Sequence, residues 1–340
     1  MRAVVFRGSG RPLEVSDVPR PAPGPGKALV KVAACGFCHT DLHYIDHGVA
    51  TAKAPPLILG HEISGIVEEL GPGSSGRAVG DRVLVPSVIP CGNCLQCRSG
   101  RENICPRLQM PGNHFDGGFA ELVEVPARDL VPLPPDLDLR SSAVIADALT
   151  TPYHAVVQRA QVRSGEWVVV VGCGGVGINA VQFAVAAGAN VIAVDLQAEK
   201  REVAHRLGAS EALNPTECKD LGQEVRKRTG GGADVALEVV GKPETVSAAL
   251  STLRRGGRLC VVGYSDSVVP VPLNRLMFFE YEIRGSLGCR PVDYPRVIEM
   301  VRQKKVSVDP VVSGVLPLER IEEAAEDLRK GKGFRTLIVP

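Results

Sequence analysis

The stretch Trp167-Val168-Val169-Val170-Val171-Gly172-Cys173-Gly174-Gly175-Val176-Gly177 decides how this chain is read. Four successive valines read as a strand buried on both faces, because parallel strands covered by helices lose the alternation of a half-exposed strand. The glycines that follow have separate tasks. Gly172 allows a tight turn, Gly174 lets a backbone approach a pyrophosphate, and Gly177 lets the next helix pack on the strand. The start of that helix offers free N–H groups and partial positive charge to phosphate. Asp195 ends the next strand, about 20 residues on, where an acid hydrogen-bonds ribose hydroxyls and repels the extra phosphate of NADP. Lys200 and Arg201 follow within reach of ribose or phosphate. Strand, glycine turn, helix, strand and acid together predict an NAD site on Gly172, Gly174, Gly175, Val176, Gly177, Asp195 and Lys200.

Working outward, Trp167 to Val194 contains no charged residue and is long enough to span a bilayer. Five glycines (Gly172, Gly174, Gly175, Gly177 and Gly188) and the polar Asn179, Gln182 and Asn190 fit a buried strand–turn–helix–strand unit instead. Strand and helix continue to alternate: helix Glu199–Leu207, strand Val235–Val239, helix Thr245–Leu253, strand Arg258–Val262. The pattern predicts a doubly wound parallel sheet, an α/β fold. Before residue 150 the chain reads as β-rich, with strands at Ala28–Val32, Ile63–Leu70 and Arg82–Val85 between Pro/Gly turns. After Gly285 it reads as amphipathic helices around Pro295–Gln303 and Leu318–Lys330, then a last strand, Thr336–Val339.

With 340 residues the chain exceeds one ordinary domain core, and two domains are expected. Hydrophobic residues at 44% and charged residues at 23% are ordinary for a soluble protein. A net charge of +1 without a basic stripe argues against nucleic acid as a partner. Met1–Phe6 runs straight into a strand-like pattern with no apolar signal segment, so no membrane association and a cytoplasmic location are expected. In such a chain, ten cysteines point to metal ligands or reduced core thiols.

Cys91, Cys94, Cys97 and Cys105 form C-x2-C-x2-C-x7-C. Four thiolates suit a closed tetrahedral zinc site with no position left for water, which is a structural role. Disulfides are disfavoured by compartment. An iron–sulfur cluster also uses close cysteines, but nothing else in the chain suggests electron transfer. A second set comprises Cys38 in Cys38-His39-Thr40-Asp41-Leu42-His43 and His61 in Gly60-His61-Glu62. A thiolate, an imidazole and a carboxylate meeting in a cleft would hold zinc with one position open. Such a zinc lowers the pKa of a bound hydroxyl, towards ~7 for water, and so makes an alkoxide available near neutral pH.

These motifs, with the closing Arg335-Thr336, resemble the zinc-containing medium-chain alcohol dehydrogenases from end to end. The resemblance implies a GroES-like β-rich catalytic domain (1–150 and 286–340, structural-zinc lobe 86–110) split by a Rossmann NAD-binding domain (151–285). The active site would lie in the cleft between them. It also implies a reversible hydride transfer between a primary or secondary alcohol, as zinc-bound alkoxide, and NAD. Two zinc ions per chain and a homotetramer, or a dimer, paired through the last Rossmann strands are implied as well.

Cys38 and His61 would bind the catalytic zinc, with Asp41 orienting His61 and Glu62 behind the metal. Thr40 would bond the substrate hydroxyl, His43 would pass its proton onward, and His39 and Arg335 would meet the pyrophosphate. The family usually has cysteine as third ligand. Here Asp147 occupies that position, an anionic replacement with precedent among glutathione-independent formaldehyde dehydrogenases. Its alternative role is an exposed helix cap without metal. Tyr44, His47, His114 and Phe115 would lie near the substrate. A zinc-free quinone or enoyl reductase and a non-catalytic NAD-binding protein are the rival readings, and a polyol, sugar derivative or CoA-linked alcohol the rival substrates.

Overall fold

The computed structural model describes all residues from Met1 to Pro340. The chain forms two compact units, Met1–Thr150 with Gly288–Pro340, and Thr151–Leu287.

The first unit starts with β1 (Arg2–Phe6) and β2 (Glu14–Asp17), then the long β3 (Lys27–Phe37). After β3 come α1 (His39–Ile45), β4 (Leu57–Ile58), β5 (Glu62–Leu70), β6 (Arg82–Val85), α2 (Leu95–Arg98), β7 (Leu122–Pro126) and β8 (Val131–Pro132). The helical turn α3 (Thr150–Tyr153) begins at the junction of the two units. Strand β3 is the hub of this unit: it pairs antiparallel with β5 and β7 and keeps Leu29, Val30 and Cys35 fully buried. The rings of Phe37 and Phe119 stack at 5.6 Å in the same core. Beside it, β1 sits between β2 and β4 in a small sheet that the sequence reading lacked.

The second unit holds β9 (Trp167–Val171), α4 (Gly177–Ala186), β10 (Asn190–Val194), α5 (Ala198–Arg206), β11 (Glu211–Leu213) and α6 (Leu221–Thr229). It continues with β12 (Ala233–Glu238), α7 (Pro243–Ser251), β13 (Leu253–Val261), α8 (Leu273–Phe278) and β14 (Glu282–Gly285). Its six strands run parallel in the order β11-β10-β9-β12-β13-β14, so the order reverses beside β9. That reversal is the switch point where doubly wound sheets bind ligands. Helix α4 is buried from Gly177 through Ala184, which explains the charge-free stretch. Its polar residues are satisfied internally: Asn179 Nδ2 donates to the Gly175 carbonyl and Gln182 Nε2 to Asn179 Oδ1, both at 2.8 Å. No helix is long and apolar enough to cross a membrane.

The chain then returns to the first unit with α9 (Asp293–Arg302), β15 (Val312–Pro317), α10 (Ile321–Arg329) and β16 (Arg335–Val339). Strand β16 joins the hub, with Leu337 opposite Gly36 and Thr336 opposite Phe37. Two segments differ from expectation for local reasons. The helix expected over Leu318–Lys330 opens with a 3-10 turn, Leu318–Arg320. The helix expected through Leu253 stops at Ser251, where the Thr252 hydroxyl caps the Ala249 carbonyl at 2.7 Å and Leu253 begins β13.

The glycine turn contains two different constraints. A Cβ on Gly177 would lie 1.7 Å from the Gly172 carbonyl oxygen, whereas one on Gly174 would meet no protein atom within 4 Å. Gly177→Ala is therefore expected to destabilise the chain by about 1–3 kcal/mol or more, the usual range for overpacking. Gly174→Ala should stay within about 0.5 kcal/mol of the parent. Equal thermal unfolding midpoints for the two variants would contradict this assignment.

Candidate active site and metal centres

Neighbouring strands bring the reactive residues to one place. Cys38 directly follows β3, His61 directly precedes β5, Glu62 begins β5 and Arg335 begins β16. Glu62 lies opposite Gly36 in the β3–β5 ladder. A Cβ on Gly36 would sit 2.1 Å from Glu62 Oε2, so only glycine leaves room for this carboxylate. Asp147 follows a 3-10 turn, Ser141–Ala146, from another part of the same unit. One ligand atom from each of Cys38, His61, Glu62 and Asp147 lies within 4.8 Å of all the others. The first three are buried, while the Asp147 side chain keeps 16% of its surface.

The His61 ring faces two acids. Its Nε2 is 3.8 Å from Asp147 Oδ2 and its Nδ1 is 3.8 Å from Asp41 Oδ1. Asp41 is fixed by its other oxygen, Oδ2, which accepts the Cys38 backbone N–H at 2.9 Å and so caps α1. Asp41 Oδ1 is a buried oxygen without a hydrogen-bond partner. Burial works against a charge on His61, but Asp147 and Cys38 outweigh it and hold the imidazole well above its ordinary value. Burial pushes Glu62 up to about 7 against the opposing pull of Arg335. Arg335 is itself buried, donating through Nε to Glu62 Oε1 and Oε2 (2.9 and 3.0 Å) and through Nη2 to Cys38 Sγ (3.2 Å). Three carboxylates (Asp41, Glu62 and Asp147) and the Cys38 thiol thus crowd one imidazole, partly balanced by one guanidinium. A divalent cation relieves what repulsion remains, and thiolate, imidazole and carboxylate are the donor types zinc takes in open sites.

Around this cluster, Thr40 Oγ1 lies 3.8 Å from Cys38 Sγ, on the first turn of α1. His43 is half-buried, with its ring centroid 5.6 Å from that of the exposed His47. Burial, and then His47, lower the His43 pKa below its ordinary 6.5. His39 is exposed at the start of α1. Of the other residues expected near the substrate, Tyr44 is buried and accepts from Asn113 Nδ2 at 2.6 Å. His114 Nδ1 accepts the Met110 N–H at 3.2 Å, and Phe115 lies under the Lys27 ammonium at 5.6 Å. Arg290 is engaged by Asp293 at 2.9 Å. Cys35, Cys260 and Cys289 are buried core thiols, whereas Cys218 is only partly covered.

In the second unit the glycine turn leaves β9 with Gly172 at φ +91°. Val176 is the N-cap of α4. Asp195 supports the turn from the next strand: its Oδ2 accepts the Cys173 N–H at 2.8 Å and its Oδ1 the Gln197 N–H at 2.9 Å. Lys200 is half-buried on α5, and Arg201 donates to the Asp195 and Leu196 carbonyls at 2.9 and 2.8 Å.

The four-cysteine lobe has a core of sulfur. Successive contacts of 3.4 Å (Cys94–Cys97), 3.8 Å (Cys94–Cys105) and 3.9 Å (Cys91–Cys97) are too long for disulfides, and all four thiols are free. Zinc–sulfur bonds of about 2.3 Å in a tetrahedron place the sulfurs about 3.8 Å apart. The Arg107 backbone N–H donates to Cys105 Sγ at 3.3 Å and its guanidinium to Cys91 Sγ at 3.2 Å. The Asn93 backbone and Arg107 help bring the Cys91 thiol down to about 6, so it favours the thiolate.

Residues 24–135 match the alcohol dehydrogenase GroES-like domain and residues 175–303 the zinc-binding dehydrogenase domain. An alcohol dehydrogenase of Geobacillus stearothermophilus is 37% identical over 334 residues, covering 98% of this chain and 97% of that protein. The crystal structure of an NAD-dependent alcohol dehydrogenase superposes with a TM-score of 0.92 at 35% identity, covering all of both chains. The D-xylulose reductase A of Aspergillus niger is 33% identical, over 94% of this chain and 92% of that one.

The chain belongs to the zinc-containing medium-chain alcohol dehydrogenases. As a member of this family it uses NAD and two zinc ions, and both of its clustered donor sets suit the metal. Two residues of this alcohol dehydrogenase that touch the site escaped the sequence reading: Ser87, whose Oγ is 3.5 Å from Asp147 Oδ1, and Tyr294, whose hydroxyl donates to the Ala146 carbonyl at 2.8 Å. A lone serine in the apolar run Val83–Pro90 was the available signal for the first. Metal analysis of the purified chain is expected to give two zinc ions. Asp147→Ala should leave one, held by the four-cysteine lobe, and unchanged zinc content in that variant would remove Asp147 from the ligand set.

Proposed function

We propose that this chain is a zinc-dependent alcohol dehydrogenase that transfers hydride reversibly between a primary or secondary alcohol and NAD. The convergence of Cys38, His61, Glu62 and Asp147 within 4.8 Å carries this reading. Cys38, His61 and Asp147 hold the catalytic zinc, with Glu62 behind it, and Cys91, Cys94, Cys97 and Cys105 hold the structural one. Zinc in the first set supplies a Lewis acid that makes a substrate hydroxyl easier to deprotonate.

The side chains around it handle orientation and protons. Thr40, beside the Cys38 sulfur, accepts the hydroxyl proton of the alcohol as it gives up its own, and orients the alcohol oxygen. His43 lies one helical turn further along α1 and carries that proton towards solvent. Its lowered pKa keeps the ring neutral, and therefore a proton acceptor, at pH 7. Arg335 neutralises the buried Glu62 and Cys38, and it and His39 are the proposed partners of the NAD pyrophosphate. Gly172, Gly174, Gly175, Val176 and Gly177 form the phosphate turn. Asp195 fixes that turn and meets the adenosine ribose with its remaining lone pairs, and Lys200 flanks the same end.

Self-association is part of the same proposal. Strand β14 is one of the two edges of the parallel sheet, and Val268, Leu273, Met277, Phe278 and Leu287 are exposed in the segment around it. An open edge with exposed apolar neighbours favours pairing with a second copy, which supports a homotetramer or dimer. The ten free cysteines suit a reducing compartment such as the cytoplasm.

The activity test is a panel of small alcohols, polyols and carbonyls followed by the absorbance of reduced nicotinamide, with NADP run beside NAD. Turnover is expected with NAD, and failure across the panel would return the chain to a non-catalytic role. His43→Gln is expected to slow alcohol oxidation at pH 7 about 100-fold, a usual contribution of a positioned base, with partial rescue by imidazole buffer. Because the folded environment lowers the His43 pKa, protonation should remove this step only below pH 6.5. A parent acid limb centred above that pH would contradict the assignment.

A further inference from the structure

Aspartate differs from cysteine as a metal ligand in having two donor atoms. One oxygen suffices to bind, and the other must be held or the carboxylate rotates and exchanges them. In this chain the two oxygens of Asp147 face different ways. Oδ2 is directed at His61 Nε2 and the donor cluster, 3.8 Å away, while Oδ1 lies 3.5 Å from Ser87 Oγ. That separation is longer than the roughly 2.5–3.0 Å of an ordinary O–H···O bond, so the contact is a weak one that constrains direction.

The position of Ser87 is set by a second buried group. Ser87 is 2% exposed and follows β6, the strand paired with β5. Its backbone N–H donates to the Tyr294 hydroxyl at 3.2 Å, and that hydroxyl donates to the Ala146 carbonyl at 2.8 Å. Tyr294 is fully buried in the first turn of α9. It therefore ties the residue preceding Asp147 to the residue that touches the Asp147 carboxylate. The Thr150 hydroxyl closes on the same Ala146 carbonyl at 3.3 Å.

We propose that Ser87, held by Tyr294, is the positioning residue that fixes the non-ligating oxygen of Asp147. The proposal rests on the reading of Asp147 as a zinc ligand. A cysteine in its place has one donor atom and no second oxygen to hold, so the role of Ser87 exists only with aspartate. Outer partners of metal ligands typically change metal affinity 10–100-fold, which is about the size expected here.

The test compares Ser87→Thr with Ser87→Val, which share a shape and differ in the hydroxyl. Zinc affinity is measured by chelator competition on the purified chain, with the four-cysteine site as internal control. Ser87→Thr should retain the affinity of the catalytic site, and Ser87→Val should weaken it about 10–100-fold. In an Asp147→Cys background the two should bind zinc equally. Equal affinities with Asp147 present would overturn the proposal, as would the same Thr–Val difference in the cysteine background, which would make Ser87 a packing residue only. Loss of affinity in Ser87→Val with catalytic zinc retained in Asp147→Ala would instead sink the ligand reading beneath it.

Discussion

Crowding like charges into a buried space is the constraint on which the first unit depends. Cys38, Glu62 and Asp147 place acidic atoms within 4.8 Å of one another around His61. Two unit charges 4 Å apart interact by about 4 kcal/mol at an effective dielectric near 20, so such a cluster opens unless something holds it. The holding is done by backbone. Cys38 is fixed where β3 passes into α1, Glu62 on the adjacent β5, and Arg335 on the adjacent β16. Gly36 is bare because the Glu62 carboxylate fills the space where its side chain would be. Arg335 compensates part of the charge, and zinc the rest.

The second unit meets an opposite demand, since it must leave room for an anion instead of packing acids together. Gly177 is so close to the Gly172 carbonyl that no side chain fits there, while Gly174 looks onto space that no protein atom fills. Asp195 contributes to both sides of this arrangement. By accepting the Cys173 and Gln197 N–H groups it fixes the turn from the neighbouring strand, and its carboxylate is the proposed partner of the ribose. The covering of the sheet follows from the same economy of space: α4 packs closely enough on β9 to be buried on nearly every residue, which is why that region carries no charge.

Legibility in the sequence followed the range of the interactions. The glycine turn, the four-cysteine lobe and the β9–α4–β10 core could be read because their chemistry is local. Helix α6 was missed because only Leu221, Gly222 and Val225 are buried in it, too few to set a period in a polar segment. The strand-like start at Met1–Phe6 was read and is β1, but its partners were not: β2 is four partly exposed residues without a clear alternation, and β4 is two residues long and lies some fifty residues on. In the site, Cys38 and His61 stood out by motif, but the Arg335–Cys38 contact joins residues 297 positions apart and Tyr294–Ala146 joins residues 148 apart. No pattern within a window signals either pair. Geometry also altered the expected support of His61: Asp41 stands 3.8 Å from the ring and spends its other oxygen capping α1.

The proposed aspartate ligand, Asp147, depends on both kinds of constraint. Carboxylate and thiolate carry the same charge, so replacing one by the other leaves the net electrostatics of the donor set unchanged. Their geometric needs differ, because a carboxylate must be oriented about its own bond before either oxygen is a defined ligand. The need falls on neighbours that are distant in sequence: a serine beyond β6 and a tyrosine on α9, which enters the chain only after the whole second unit. The C-terminal segment therefore does more than complete a sheet. Through Tyr294 it fixes the backbone that presents Asp147, and through Arg335 it balances Cys38 and Glu62, so both sides of the zinc site depend on residues that fold against it from the far end of the chain.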